Sequence, residues 1–127
     1  MLDIMHSSFF DHLSLRREQD QGEKIIISVL IENQHLADPH MIGSGLFYTM
    51  LDIAMGTAAS KAGGAPTATI VLNTTIFDAA VKSSLLCKAR VTHCSDSMAS
   101  AEGLVYDENQ ILIAKSQADF KLLKKRG

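Results

Sequence analysis

The chain has 127 residues, 46% of them hydrophobic and only two of them proline, with a formal net charge of −2. Such a length suits one domain, residues 1–127, with a core of its own, and the composition excludes a disordered chain. The near-neutral charge excludes a broad nucleic-acid footprint, and no apolar run reaches the roughly 18 residues of a membrane helix.

The opening MLDIMHSSFF lacks a basic region and a long apolar stretch, so neither secretion nor membrane spanning is expected, and the cytoplasm is the expected compartment. Cysteine usage agrees. Cys87 and Cys94 lie seven apart in what reads as one strand, which predicts opposite faces. Roughly 23 Å of strand between them excludes a disulfide.

In chain order, residues 4–13 (IMHSSFFDHL) read as a short amphipathic helix or docking arm anchored by Phe9, Phe10 and Leu13, with His6 and His12 at the surface. The polar RREQDQGEK follows, turning at Gly22. KIIISVLIEN is β-branched and nearly continuously apolar, which predicts a strand covered on both faces or meeting a partner. NQHLADPHMI, residues 33–42, is expected as a loop, with Pro39 holding Asp38 extended.

Everything else is organised around GSGLFYTMLDIAMGTAASKAGG. It predicts a helix from Gly45 to Ala62, with Ser44 as N-cap and Gly63 as the closing residue. At about 100° per residue, Leu46, Met50, Ile53, Ala54 and Thr57 share one face, while Gly45, Tyr48, Asp52, Met55, Gly56 and Ala59 share the other. Both faces are largely apolar, so both are expected to be buried. Asp52 stands out as the ionisable group before Lys61, and an uncompensated carboxylate there costs on the order of several kcal/mol.

After the GGAP turn, TATIVLNTTIF alternates, with Thr69, Val71, Asn73 and Thr75 on one face and Ile70, Leu72 and Ile76 on the other. DAAVKSS connects to a strand LLCKARVTHCS, whose polar side carries Lys88 and Arg90. MASAEGLVYD and QILIAKSQADFKLL pair as a hairpin across Asp107, Glu108 and Asn109. In the last strand Leu112, Ala114, Ala118, Phe120 and Leu122 are expected to face in, and Lys115, Gln117, Asp119 and Lys121 out. Lys121 to Arg126 is a solvated basic tail. Four consecutive strands at hairpin spacing and one buried helix give an α+β fold, an antiparallel sheet wrapped around the helix.

From about His35 onward the chain resembles the hotdog-fold PaaI-like acyl-CoA thioesterases. Their pattern is a loop H-x-N, then H-G-G opening the helix, an acidic residue seven positions after the last glycine, and a Ser/Thr-x-x-x-Asn strand. Here the loop begins at His35, G-S-G occupies 43–45, Asp52 stands seven after Gly45, and Thr69 and Asn73 keep the strand spacing. The departures are Gly43 for the histidine, Ser44 for the first glycine and Ala37 for the loop asparagine, with His40 three residues away. The resemblance implies a homodimer or dimer of dimers whose sheets join edge to edge. It sets the Asp of one subunit opposite the helix start of the other.

Thioester hydrolysis needs a positioned base or nucleophile and donors for the developing oxyanion. The resemblance assigns Asp52 as base or nucleophile, Gly45 as backbone oxyanion donor and Thr69 as orienting hydroxyl. His35, Gly43, Ser44 and Asn73 fall to substrate binding. The expected substrate is an acyl-CoA or related acyl thioester; no cofactor is implied. Lys61, Lys82 and Arg90 are candidates for CoA phosphates. His35, Asp38 and His40 lack the further ligands of a metal centre, and adjacent His93 and Cys94 point apart on a strand, which excludes a nucleophile pair. The alternatives are a non-catalytic acyl-CoA-binding or interaction module of the same fold, and a hotdog dehydratase, for which no Asp/His pair is evident.

Overall fold

A computed structural model describes residues 13–124. The arm expected over residues 4–13 therefore lies outside the described residues except for Leu13, which packs at the margin of the core. The elements are β1 (Arg16–Arg17), β2 (Ile25–Leu30), β3 (Leu36–Asp38), β4 (Met41–Ile42), α1 (Ser44–Gly63), β5 (Thr67–Ile76), β6 (Ser84–Cys94), β7 (Met98–Asp107) and β8 (Leu112–Leu122). Six strands form one antiparallel sheet in the order β1-β2-β6-β7-β8-β5, and β3 and β4 form a separate two-stranded ladder.

Two expectations about connectivity change. β5 does not pair with the next strand in sequence; it pairs with β8, and the 77–83 connection carries the chain across to β6. Local periodicity identifies strands but not their partners, so hairpin spacing misled here. The 33–42 loop contains a 3-10 turn at Asn33–His35 and the β3–β4 ladder, held down by an isolated bridge from Met41 to Ala80.

Three single-residue bulges set the sheet's shape and the direction of its side chains. The registers step over Ile70 in β5, Thr92 in β6 and Ile113 in β8. A bulge adds twist and inverts the alternation beyond it. Hence Ile113 and Ala114 are both buried while Leu112 is 39% exposed, the reverse of its expected direction. The bulge at Thr92 likewise sets Cys87, opposite Val105, and Cys94, opposite Ala99, on one face instead of two. Both thiols are free; Cys87 is buried and Cys94 exposed.

The helix lies in the curled sheet and packs against β2, β5, β6, β7 and β8. Leu46, Phe47, Met50, Leu51, Ile53, Ala54, Met55, Ala58 and Ala59 are buried, which is roughly two thirds of the helix's circumference. The second face is thus divided. Met55 and Ala59 are fully enclosed by the chain's own sheet, whereas Tyr48 is 44% exposed. The ends also shift by one residue. Gly43 takes the N-cap position and offers no side-chain cap, and Gly64, at φ 65°, is the left-handed closing residue. Gly63 stays helical; a Cβ there would lie 2.6 Å from Leu122 Cδ2.

Helix and sheet also approach closely at Gly103 in mid-β7. A Cβ at Gly103 would lie 2.7 Å from Leu51 Cδ2 and 3.3 Å from Met55 Cγ, and both side chains are fully buried with nowhere to retreat. Gly103→Val is expected to destabilise the fold by about 1–3 kcal/mol, the usual cost of overpacking a tight core. A thermal melt that matches the wild type would refute this close contact.

Burial pushes the Cys87 thiol up from 9.0 to about 12. The folded chain thus holds this proton more tightly than the unfolded chain. The stability this confers is complete below about pH 9 and declines as pH rises toward 12. Native protein treated with iodoacetamide at pH 8 is expected to carry one label, on Cys94, and denatured protein two. Native labelling of Cys87 would contradict its burial.

Candidate active site

Asp52 sits in the middle of α1 on the arc that the sheet leaves open. With Tyr48 one turn before it and Gly56 one turn after, it forms a stripe directed at β5. The bulge at Ile70 decides what it meets. Thr69 lies opposite Phe120 and Leu72 opposite Ala118, both inward positions of β8, so both face the helix. Simple alternation predicts opposite faces for these two residues. The Thr69 hydroxyl donates to Asp52 Oδ1 at 2.8 Å. Thr67 lines the same slot, its Oγ1 3.7 Å from where a Cβ on Gly56 would be.

The slot is half open. Asp52 is only partly buried, Thr69 is exposed, and Tyr48, one turn before Asp52, is 44% exposed. The carboxylate keeps contact with solvent while one of its oxygens is fixed by a hydroxyl. A hydroxyl donor so placed fixes the orientation of the carboxylate.

Asn73 is not brought to this slot. Its register partner is Gln117, on the sheet's outer face, so it shares neither direction nor neighbours with Thr69. At the helix start, the N–H groups of Ser44 and Gly45 precede the first turn's acceptors. Both residues are exposed, and a Cβ on Gly45 would meet no atom within 4 Å. Gly43 is fixed from behind: its N–H donates to His35 O at 2.8 Å, and its own carbonyl accepts from Leu46 N at 3.1 Å.

His35 is buried, 3% exposed, with both ring nitrogens engaged inside the chain. Nδ1 accepts from the Glu32 N–H at 2.9 Å, so the ring proton resides on Nε2, which donates to Leu13 O at 2.6 Å. The ring points away from the slot. His40 is exposed, its backbone N–H bound to Asp38 Oδ1 at 2.7 Å in a tight turn.

The candidate phosphate cations all have carboxylate partners. Lys61 meets Asp20 at 2.9 Å, Lys82 meets Asp78 at 2.8 Å, and Arg90 meets Glu102 at 2.6 Å. The Lys61 ammonium, together with Arg17, holds the Asp20 carboxyl below its ordinary range, and Lys82 does the same to Asp78. Lys82–Asp78 closes a local turn, Arg90–Glu102 bridges β6 and β7, and Arg17–Asp20–Lys61 straps the segment before β2 onto the end of α1.

An antiparallel sheet curled around one long helix is the hotdog fold, and its bulges, open β5 edge and helix-borne carboxylate lie within it as described. The chain belongs to the thioesterase superfamily, whose model matches residues 44–114, more than half of the sequence. Thioester hydrolysis is the general activity that this membership supports. Among solved structures, the chain is similar to zebrafish thioesterase superfamily member 2, 23% identical, with a TM-score of 0.82 over 93% of this chain and 89% of that one. It is also similar to the PaaI protein of the E. coli phenylacetic acid degradation operon, 12% identical, with a TM-score of 0.85 over 94% of this chain and 86% of that one. A third likeness is a thioesterase from Haemophilus influenzae, 13% identical, with a TM-score of 0.86 over 98% of this chain and 90% of that one. These likenesses speak for the fold. No curated protein matches the sequence.

The slot could be found from sequence through the helix carboxylate and its spacing from Gly45. The part played by His35 could not, since nothing in its flanking residues shows that both ring nitrogens bond within the chain.

Proposed function

We propose that the chain is a homodimeric hydrolase of acyl-CoA or a related acyl thioester, with Asp52 as general base or nucleophile. The observation that carries this reading is the Thr69–Asp52 hydrogen bond at 2.8 Å in a half-open slot beside a strand edge that is unpaired among the described residues. As a base, Asp52 takes a proton from a water molecule whose oxygen attacks the thioester carbonyl carbon. The tetrahedral oxyanion then collapses, the C–S bond breaks, and the free acid and the thiol leave. As a nucleophile, the carboxylate attacks the same carbon directly, expels the thiolate, and the resulting anhydride is hydrolysed. In both routes the Thr69 hydroxyl holds one oxygen and leaves the other to react.

The oxyanion donor is drawn from a second chain. Gly45 and Asp52 are seven residues apart on α1, roughly 10 Å along the helix axis. An oxyanion donor and a base must both lie within about 3 Å of groups on one reacting centre, so these two from one chain cannot share it. The backbone N–H of Gly45 of the partner subunit, at the positive end of its α1, supplies the donor.

The strand edges favour the same assembly. One sheet edge is β1, two arginines long; the other is β5, ten residues (TATIVLNTTI) without charge or proline. Long, uncharged, β-branched edges are the ones that pair. Two β5 strands joined antiparallel extend the sheet across the dimer, cover Ile70 and Val71, and close the slot over Asp52.

A second reading, an acyl-CoA-binding module without turnover, draws on Gly43 and Ala37, which carry no polar side chain where the family has histidine and asparagine. The two are separated by thiol release from a panel of acyl-CoAs. Wild type is expected to release thiol, and Asp52→Asn to lose at least 10²-fold in kcat with its melt unchanged, in keeping with removal of a base. Equal rates would remove Asp52 from the mechanism, and thermal stabilisation by acyl-CoA without hydrolysis would favour the binding module.

The interface has its own test. Val71 lies mid-strand, so Val71→Asp sets two carboxylates near the dyad, where like charges oppose pairing. Sedimentation is expected to show a dimer for wild type and a shift to monomer for the variant, with activity lost alongside. A wild-type monomer that hydrolyses acyl-CoA would refute the two-chain site.

A further inference from the structure

We infer that His35 is a positioning residue for the oxyanion donor, acting through Gly43 at the start of α1; this rests on the hydrolytic role proposed above for that helix start. The start of α1 has no side-chain cap, because its N-cap is a glycine. Its place is set from outside. The Gly43 N–H donates to His35 O at 2.8 Å, and the preceding Ile42 N–H donates to Ala79 O at 2.7 Å. A Cβ on Gly43 would lie 3.5 Å from that same His35 carbonyl, so backbone packs on backbone here.

His35 is in turn fixed at both ring nitrogens. The Glu32 N–H reaches Nδ1 at 2.9 Å and closes the 3-10 turn, while Nε2–H reaches Leu13 O at 2.6 Å and ties that turn to the segment before β1. One buried residue therefore joins three stretches of chain: its ring ties the turn after β2 to the segment before β1, and its backbone carbonyl holds the helix start. The other side of the same loop is held by Val81 N–H to His40 O at 3.1 Å and by the Met41–Ala80 bridge. His35 is the clamp on the side that carries Gly43. A neutral imidazole is suited to this task, since it accepts at one nitrogen and donates at the other.

Only Ser44 separates Gly43 from Gly45, so movement of the first moves the amide of the second. A displacement of about 1 Å at a group stabilising the transition state costs up to roughly 10²-fold in rate. Such a loss falls on kcat, because the oxyanion forms only in the transition state.

The test uses His35→Ala, His35→Gln and His35→Asn in the full chain, assayed on the best acyl-CoA of the panel. Gln restores a donor near the Nε2 position and Asn an acceptor near the Nδ1 position. His35→Ala is expected to lower kcat roughly 10- to 100-fold with KM within about threefold, with Gln or Asn recovering part of the loss. Amide exchange at Gly43, Ser44 and Gly45 is expected to quicken in step with the loss, while exchange in the β6–β7 ladder holds. If His35→Ala does not fold, the Gln and Asn variants carry both readouts. A folded variant with wild-type kcat and unchanged exchange at 43–45 overturns the inference alone. A wild type inactive on every thioester overturns the hydrolase reading instead, and exchange at 43–45 then decides whether His35 holds the helix start.

Discussion

The distance between α1 and the sheet is the constraint from which most of this molecule follows. At Gly103 there is no room for even a methyl group between strand and helix, and Leu51 and Met55 fill the space around it. A helix held that close needs small residues along its sides, which Ala54, Ala58 and Ala59 provide, and a sheet that bends around it. The bend comes from strands with one residue too many. Ile70, Thr92 and Ile113 each break a ladder once, and each break increases local twist. The curled sheet encloses about two thirds of the helix; the remaining third carries Tyr48 and Asp52.

The same geometry underlies the proposed division of the chemistry between two chains. A carboxylate in mid-helix and an amide at the helix start are fixed parts of one rigid rod and cannot approach each other. Thr69 reaches Asp52 because the bulge at Ile70 turns it toward the helix, on the β5 edge, which has no further partner strand among the described residues. Slot, threonine and open edge coincide. Across two antiparallel copies of β5, each slot would face the other chain's helix start, the arrangement in which every group named in the proposed reaction has a partner within reach.

Much of this was legible in the sequence, and what was not has a common cause. The extent of α1, the strand runs and the β7–β8 hairpin follow from periodicity and turn residues, and Asp52 stood out as a carboxylate within an apolar helix. The pairing of β5 with β8 was not legible, because partner choice across 40 residues leaves no trace in local alternation. The directions of Leu112, Cys94 and Thr69 were misread for one reason. Alternation fixes a side chain only relative to its neighbours, and a single bulge reverses everything beyond it. Asn73 keeps its family spacing from Thr69 yet faces the other side of the sheet on that account. The burial of Met55 and Ala59 by the chain's own strands, and the two bonds of the His35 ring, depend on tertiary closeness that no window of sequence encodes.

In the proposed dimer the uncharged edge of β5 would also tie the chemistry to abundance. Where each centre draws on two chains, competent sites scale with the paired fraction and not with the total amount of protein. Dilution below the dissociation constant would then lower specific activity without unfolding a single subunit, and substrate bound across the seam would draw subunits together by mass action. A strand that would be an aggregation hazard on a solitary domain thereby becomes a switch set by concentration.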